Sequence, residues 1–400
     1  MKKLLLGTAA IGLALAATPA HAQVELELGG FFKGYGSYVD QDNDQASTPL
    51  NSGDARKFDI LRHTEVHFGG ETTLDNGLTV GIHIEAEADG NNADGFEVEE
   101  SYAYFAGSWG RVNLGAEDGA QYLLQVEAPS ADSNVDGLRQ FIQPVNYVTA
   151  TDGNNLVTNA LSTAVTANGI DYETNATGYD DKFTYLSPIM SGFQVGVSYT
   201  PDVADAATDL SGNAFDDVND AQGDAYEAGI RYEGEVSGVG VTAGAGYTQI
   251  SAENTTVGNP GGGAISDDQT VWNAGLDLDI GAFGIGVSYS EDDFGGLERG
   301  VNRTQGDEET LVVGVDYTTG PFKLGASYLT QDGTLGVAGN TGTDGIETER
   351  YTGGVVYTYG PGMTFRGSIS HVEHDNVADL TGNNDSIDAT SVLLGTQINF

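Results

Sequence analysis

Few side chains stand where they could react or bind a metal, and each group falls short of a complete set. His63 and His67 sit four apart, with His83 further on. Zinc needs three or four nitrogen, sulfur or carboxylate ligands in tetrahedral geometry. Side chains four apart along a strand are roughly 13 Å apart by strand rise, too far to share one ion. Polar histidines on a wet inner face, facing His83 on the next segment, are therefore expected, and no metal is assigned. Asp40-Gln-Asp-Asn-Asp44 opens like a calcium loop, but Gln45 stands where the turn needs glycine and Asn51 where a bidentate glutamate belongs. That stretch reads as a solvated acidic loop that holds divalent cations loosely, and no other cofactor is expected. Asp293-Phe-Gly295 lacks every other kinase element. With no cysteine there is no disulfide framework, thiolate site or cysteine nucleophile, and no Ser/His/Asp arrangement stands out. The chain is not expected to be an enzyme.

The positions of these residues depend on what elements carry them. Met1-Lys2-Lys3, the apolar run Leu4–Ala17 and Ala20-His21-Ala22 make a charged start, an apolar middle and a small-residue cleavage site. Residues 1–22 are thus expected to be an export signal, leaving 23–400 as a single domain. No later apolar run approaches the roughly twenty residues of a spanning helix. The formal charge is −44, and the leader holds two lysines but no carboxylate, so its removal makes the chain more acidic still. Nucleic acid is excluded as a partner for such a surface. Nineteen tyrosines and fifteen phenylalanines argue against a disordered acidic chain.

Hydrophobicity alternates with period two along most of the chain, as in residues 239–247, where positions 239, 241, 243, 245 and 247 share a face. Sixteen such segments are separated by connections that alternate between tight turns, such as Asp75-Asn76-Gly77 and Gly281-Ala282, and long acidic stretches, such as Asp40–Lys57 and Glu291–Glu308. Short turns at one rim, long loops at the other and apolar-out, polar-in strands describe a transmembrane barrel. The rows Val195-Val197-Tyr199, Ile285-Val287-Tyr289, Leu311-Val313-Val315-Tyr317 and Leu324-Ala326-Tyr328 give its lipid face, with tyrosine expected at a fixed end. The fold class is all-β: a 16-stranded antiparallel transmembrane β-barrel, too wide for its own side chains to fill. Alternation stops over residues 118–178, an uncommon length for a structureless connection. Its apolar pieces and Pro129 and Pro144 predict a loop folded into the barrel mouth that sets the bore.

Parity places Lys33, Arg111, Lys182, Arg231, Lys323, Arg350 and Arg366 on the inner face, together with Glu65, Glu85, Glu87, Glu97, Glu99 and Glu117. The inserted loop adds Asp118, Glu127, Asp132, Asp136 and Arg139.

The motifs Glu65-Val-His-Phe-Gly-Gly-Glu71, Ser101-Tyr-Ala-Tyr-Phe-Ala-Gly107 with Trp109-Gly-Arg-Val-Asn-Leu-Gly115, and Phe183-Thr-Tyr-Leu-Ser-Pro188 occur in an order that resembles Gram-negative general diffusion porins over essentially all of residues 23–400. The resemblance implies a homotrimer in the cell outer membrane, in contact with the bilayer and lipopolysaccharide, with the first five strands and the last at the trimer contact. It implies passive diffusion of ions and small hydrophilic solutes past an inward third loop. The closing strand resembles the signal read by the barrel-assembly machinery: Gly395, Ile398 and Phe400 match, while Leu393 replaces the usual polar residue. Porins commonly set an arginine cluster opposite the acidic loop, whereas strands two to four here carry Glu65, Glu85, Glu87, Glu97 and Glu99 with three histidines. A carboxylate ring makes a pore cation-preferring, so a cation-selective channel is expected. The competing outcome is pairing of these glutamates with the arginines to leave a near-neutral eyelet. A substrate-preferring porin, a barrel-borne hydrolase and an adhesin are the alternative functions.

Overall fold

The computed structural model describes residues 24–41, 56–88, 96–128, 135–136, 139–140, 142, 144–145, 174–203, 221–253, 267–296, 307–333, 346–378 and 384–400. The expected export signal, Asp132 and most of the acidic stretch from Asp40 to Lys57 lie outside these residues.

The chain builds β1 (Glu25–Gln41), β2 (Phe58–Thr73), β3 (Thr79–Glu87), β4 (Glu97–Gly107) and β5 (Gly110–Ala116) as consecutive antiparallel neighbours. It then leaves the wall through a short helix, α1 (Ala120–Leu123), and a two-residue ladder of β6 (Val135–Asp136) and β7 (Arg139–Gln140). The wall resumes with β8 (Asp181–Leu186), β9 (Phe193–Thr200), β10 (Ala221–Val236), β11 (Val239–Glu253), β12 (Gln269–Ile280) and β13 (Phe283–Asp292). It is completed by β14 (Glu308–Thr319), β15 (Phe322–Gly333), β16 (Ile346–Gly360), β17 (Met363–Ala378) and β18 (Asn384–Asn399). Sixteen strands close into one antiparallel barrel as β1 pairs with β18. Closure leaves no unpaired edge, as backbone in lipid requires. The chain ends assist: Gly30 and Phe400 exchange two backbone hydrogen bonds of 3.1 Å.

The register fixes which side chains face inward. Lys33 pairs with His63 and with Gln397, Glu65 with Glu87, and Arg111 with Leu186. Residues of the opposite parity, among them Val195, Val197, Ile285, Val287, Val313, Val315 and Leu324, are exposed on the outer surface. Aromatic rings bound this apolar band at both rims. Tyr199–Tyr226, Trp272–Tyr289 and Tyr328–Tyr351 pair at 4.9 to 5.1 Å near the long loops, and Phe193–Tyr232, Phe283–Tyr317 and Phe322–Tyr357 pair at 4.7 to 4.9 Å near the short turns. This corrects the expectation of tyrosine at one fixed end. Successive strands run in opposite directions, so Tyr317, last in its row, lies at the rim opposite Tyr289 and Tyr328. From Phe193 to Tyr199 is six strand steps, roughly 20 Å, which suits the apolar height of an outer-membrane barrel.

Candidate functional site

The ends of the long loop meet at one point of the wall. Strands β5 and β8 are hydrogen-bonded neighbours, with Ala116 opposite Asp181, so the chain returns to the wall where it left it, and none of the described residues between them forms a wall strand. Lys182, buried on the inner face of β8, donates to the carbonyls of Glu117 and, at 2.7 Å, Gly178. One ammonium thereby ties both roots. Asn175 donates to Asp118 at 2.7 Å, and Gln125 accepts from the backbone and hydroxyl of Thr174 at 3.2 Å. Asp118 is buried in this knot, and burial pushes its carboxyl up to about 7 despite Asn175 and Lys182.

From its roots the loop lies inward along the wall. Ala120 N–H donates to Ser198 Oγ on β9 at 2.8 Å, Gln121 bonds Thr248 on β11 and the Val271 carbonyl on β12, and Arg231 on β10 donates to the Gln125 carbonyl at 2.8 Å. The strands make room with glycine. A Cβ on Gly229 would stand 2.5 Å from the Ala120 carbonyl oxygen, and one on Gly275 would stand 1.9 Å from that of Val126. Both positions need the bare backbone for this close approach. Further on, Ala128 packs into Val312 and Leu329 on β14 and β15, and Ile142 into Tyr35 and Leu393 on β1 and β18. Leu393, the departure in the closing strand, is thus an inward residue buried under the loop.

These contacts cover inner wall from β9 through β15 and at the β18–β1 seam. The sector formed by β2, β3 and β4 presents a continuous row of carboxylates and imidazoles. His63 lies between Glu65 (2.6 Å) and Glu87 (3.3 Å), and His67 lies 3.2 Å from both Glu65 and Glu85. His83 lies 3.6 Å from Glu85 and 3.8 Å from Glu100. Beside them Arg111 stacks over Tyr104 with its guanidinium carbon 4.0 Å from the ring centroid, and it donates to Asn113 at 2.6 Å.

The register sets all seven cations predicted from parity on the inner face, but inward does not always mean wet. Lys33, Lys182 and Arg350 are buried, as is Glu117, which accepts from Asn113. The loop crosses next to them: Ile142 beside Tyr35, Ala128 over Leu329, the register partner of Arg350. Arg231 serves the loop backbone, Lys323 pairs with Asp316 at 3.0 Å, and Arg366 donates to Thr364 at 3.0 Å. Glu127 is partly buried between Val126 and Ala128, and Asp136 and Arg139 are backbone partners in the small ladder. Gly395 faces inward opposite Tyr35, while Ile398 and Phe400 are exposed outside.

Sequence parity misses Glu100. A register shift between Glu85 and Ala86 puts Glu85 opposite Glu100 but Ala86 opposite Val98, so Glu99 is the extra residue and inward parity changes from odd to even along β4. The signal is present in the strand itself: Val98 and Phe105, of opposite parity, are both exposed. The loop anchors Gln121, Gln125 and Asn175 also escape, as does Glu227 on β10, which accepts from Thr177 at 2.9 Å, because their partners lie far off in sequence.

A family model described as Gram-negative porin matches residues 7–377. An uncharacterized protein of Rickettsia conorii is 25% identical over 290 residues, 59% of this chain and 63% of that one, so the chain spans less than two thirds of the curated relatives it matches. Among solved structures, an anion-selective porin from Comamonas acidovorans superposes with a TM-score of 0.63 at 18% identity, covering 94% of this chain and all of that one. OmpT, an outer membrane protein of Vibrio cholerae, gives 0.55 at 14% identity, covering 94% and 99%. The sixteen-stranded closure, the inward loop tied at its roots and the family match agree: the chain belongs to the Gram-negative porin family and forms an outer-membrane barrel.

Proposed function

We propose that this protein is a cation-selective channel for passive diffusion of ions and small hydrophilic solutes, exported by its leader and acting as a homotrimer. The observation that carries the selectivity is the carboxylate row on β2 to β4, in which Glu85 and Glu87 are partly exposed to the lumen and Glu65 and Glu100 are buried behind them, all linked by histidines. Much of the basic component is engaged elsewhere: Lys182 and Arg231 hold the loop, and Lys323 faces Asp316. A cleft lined by one sign of charge concentrates counter-ions, and an acidic surface of net charge −44 extends that field to the approach. The Comamonas acidovorans porin, which shares the fold, is named anion-selective; the carboxylate row is the feature of this chain that supports the opposite preference. A trimer form is named for the Vibrio cholerae protein, which supports trimerisation here through the outer faces of β1 to β5 and β18. Contacts with lipopolysaccharide, and recognition of Gly395, Ile398 and Phe400 by the assembly machinery, are part of the same reading. Purified protein in a planar bilayer under a KCl gradient should show large conductance steps and a zero-current potential of the sign set by potassium. A potential set by chloride contradicts the proposal.

A further inference from the structure

The carboxylate–imidazole row contains one place where donor atoms converge. His67 Nε2 lies 3.2 Å and His83 Nε2 3.6 Å from the same oxygen, Glu85 Oε2, and the two imidazole rings meet edge to face with centroids 5.6 Å apart. All three ligand atoms fall within 4.8 Å of one another, and carboxylate oxygens of Glu65 and Glu99 lie equally near that of Glu85. Zinc holds nitrogen and oxygen ligands at 2.0–2.1 Å in a tetrahedron, whose edges are about 3.3 Å. Both measured separations sit near that edge. Unlike His63 and His67, four apart on one strand, His67 and His83 stand on neighbouring strands, where Glu85 pairs with His67 and His83 with Gly69.

We propose that His67, His83 and Glu85 form a reversible site for a borderline divalent transition cation of the Zn²⁺ class on the pore wall. Two imidazoles and a carboxylate favour such an ion over Mg²⁺, which prefers an all-oxygen octahedron. His67, His83 and Glu85 are 32%, 28% and 17% exposed, so an ion in the lumen reaches them and a fourth position remains for water or for the carboxylate of Glu65 or Glu99. The row then acts as a resting place for transition cations entering the pore.

The test uses the full chain folded in detergent, stripped with a chelator and titrated with ZnCl₂ alone, then with MgCl₂. Saturable binding of one Zn²⁺ per chain is expected, with X-ray absorption showing imidazole nitrogen in the first shell and with no competition from equimolar Mg²⁺. Changes to outer-shell partners of metal sites cost about 10- to 100-fold in affinity, so His67→Asn and His83→Asn, which remove ligands, should each weaken binding by at least about tenfold. His371→Asn, a change on the outward parity of β17 where the imidazole bonds Thr390 of β18, should not. Should either histidine variant lose the heat-modifiable gel shift of a folded barrel, Glu85→Gln takes its place. Unsaturable binding, equal competition by Mg²⁺, or unchanged affinity in the folded variants overturns the site. None of these readouts depends on ion selectivity, so failure here leaves the channel reading standing and the reverse also holds.

Discussion

Asp118 shows how a single side chain sets the state of the loop. Its carboxyl is buried beside Glu117 and Lys182 and accepts from Asn175, and burial raises it from the ordinary 3.8 to about 7. A group whose folded value is raised contributes stability that is fully present below its unfolded value and is lost as pH rises through the folded one. The closed root is therefore favoured at low pH and loosens progressively as pH rises from about 4 to about 7, above which no further change is expected. Hydrogen exchange at the amides of residues 174–180 should speed up between about pH 4 and pH 7 beyond its intrinsic pH dependence and show no further excess above pH 7, and Asp118→Asn should flatten that excess. Wild-type protection that does not change would contradict this account of the root. The residue type and its place in the loop were legible in the sequence. Its partner Asn175 was not, because 57 positions separate them and no local pattern reports such a contact. Glu100 was hidden for a different reason: one bulge residue reverses every later inward assignment on its strand.

At the scale of elements, the strands were readable because a two-residue period is a direct print of a wall with one face in lipid and the other in water. All sixteen expected segments form wall strands. The helix α1 was not readable, since four residues without an apolar stripe carry no helical period. Its seat left a trace nonetheless, in the inward glycines of β10 and β12, where a backbone rests on the wall. Gly275→Val should drive the loop off β12, because a Cβ there meets the Val126 carbonyl at 1.9 Å; a changed single-channel conductance with an intact barrel is the expected result, and an unaltered conductance counts against the seat. Deleting residues 132–172, much of which lies outside the described residues, should leave the barrel folded and raise conductance, since shortening a loop costs little closure entropy. An unchanged conductance would put the segment outside the channel. Val126 and Leu124, both buried, each stabilise the docked loop by about 1.5–3 kcal/mol on burial, so Leu124→Ala should give larger open-channel current fluctuations than Tyr122→Phe.

For the whole molecule, closure supplies backbone satisfaction, the aromatic rims fix the barrel in the bilayer, and the loop divides the interior into a covered side and the wall of β2 to β4. Trimerisation predicts that unheated and boiled samples migrate differently on a denaturing gel, and a monomer by light scattering in mild detergent would count against it. In the proposed channel the carboxylates of β2 to β4 set the sign of the permeant ion. The most direct measurement is the zero-current potential in a KCl gradient for the wild type and for the variant Glu65→Gln/Glu85→Gln/Glu99→Gln, taken at low salt and near 1 M, where screening acts over about 3 Å. Potassium preference that shrinks in the variant and at high salt is the predicted result; chloride preference in the wild type, or a potential unmoved by the three substitutions, would contradict it.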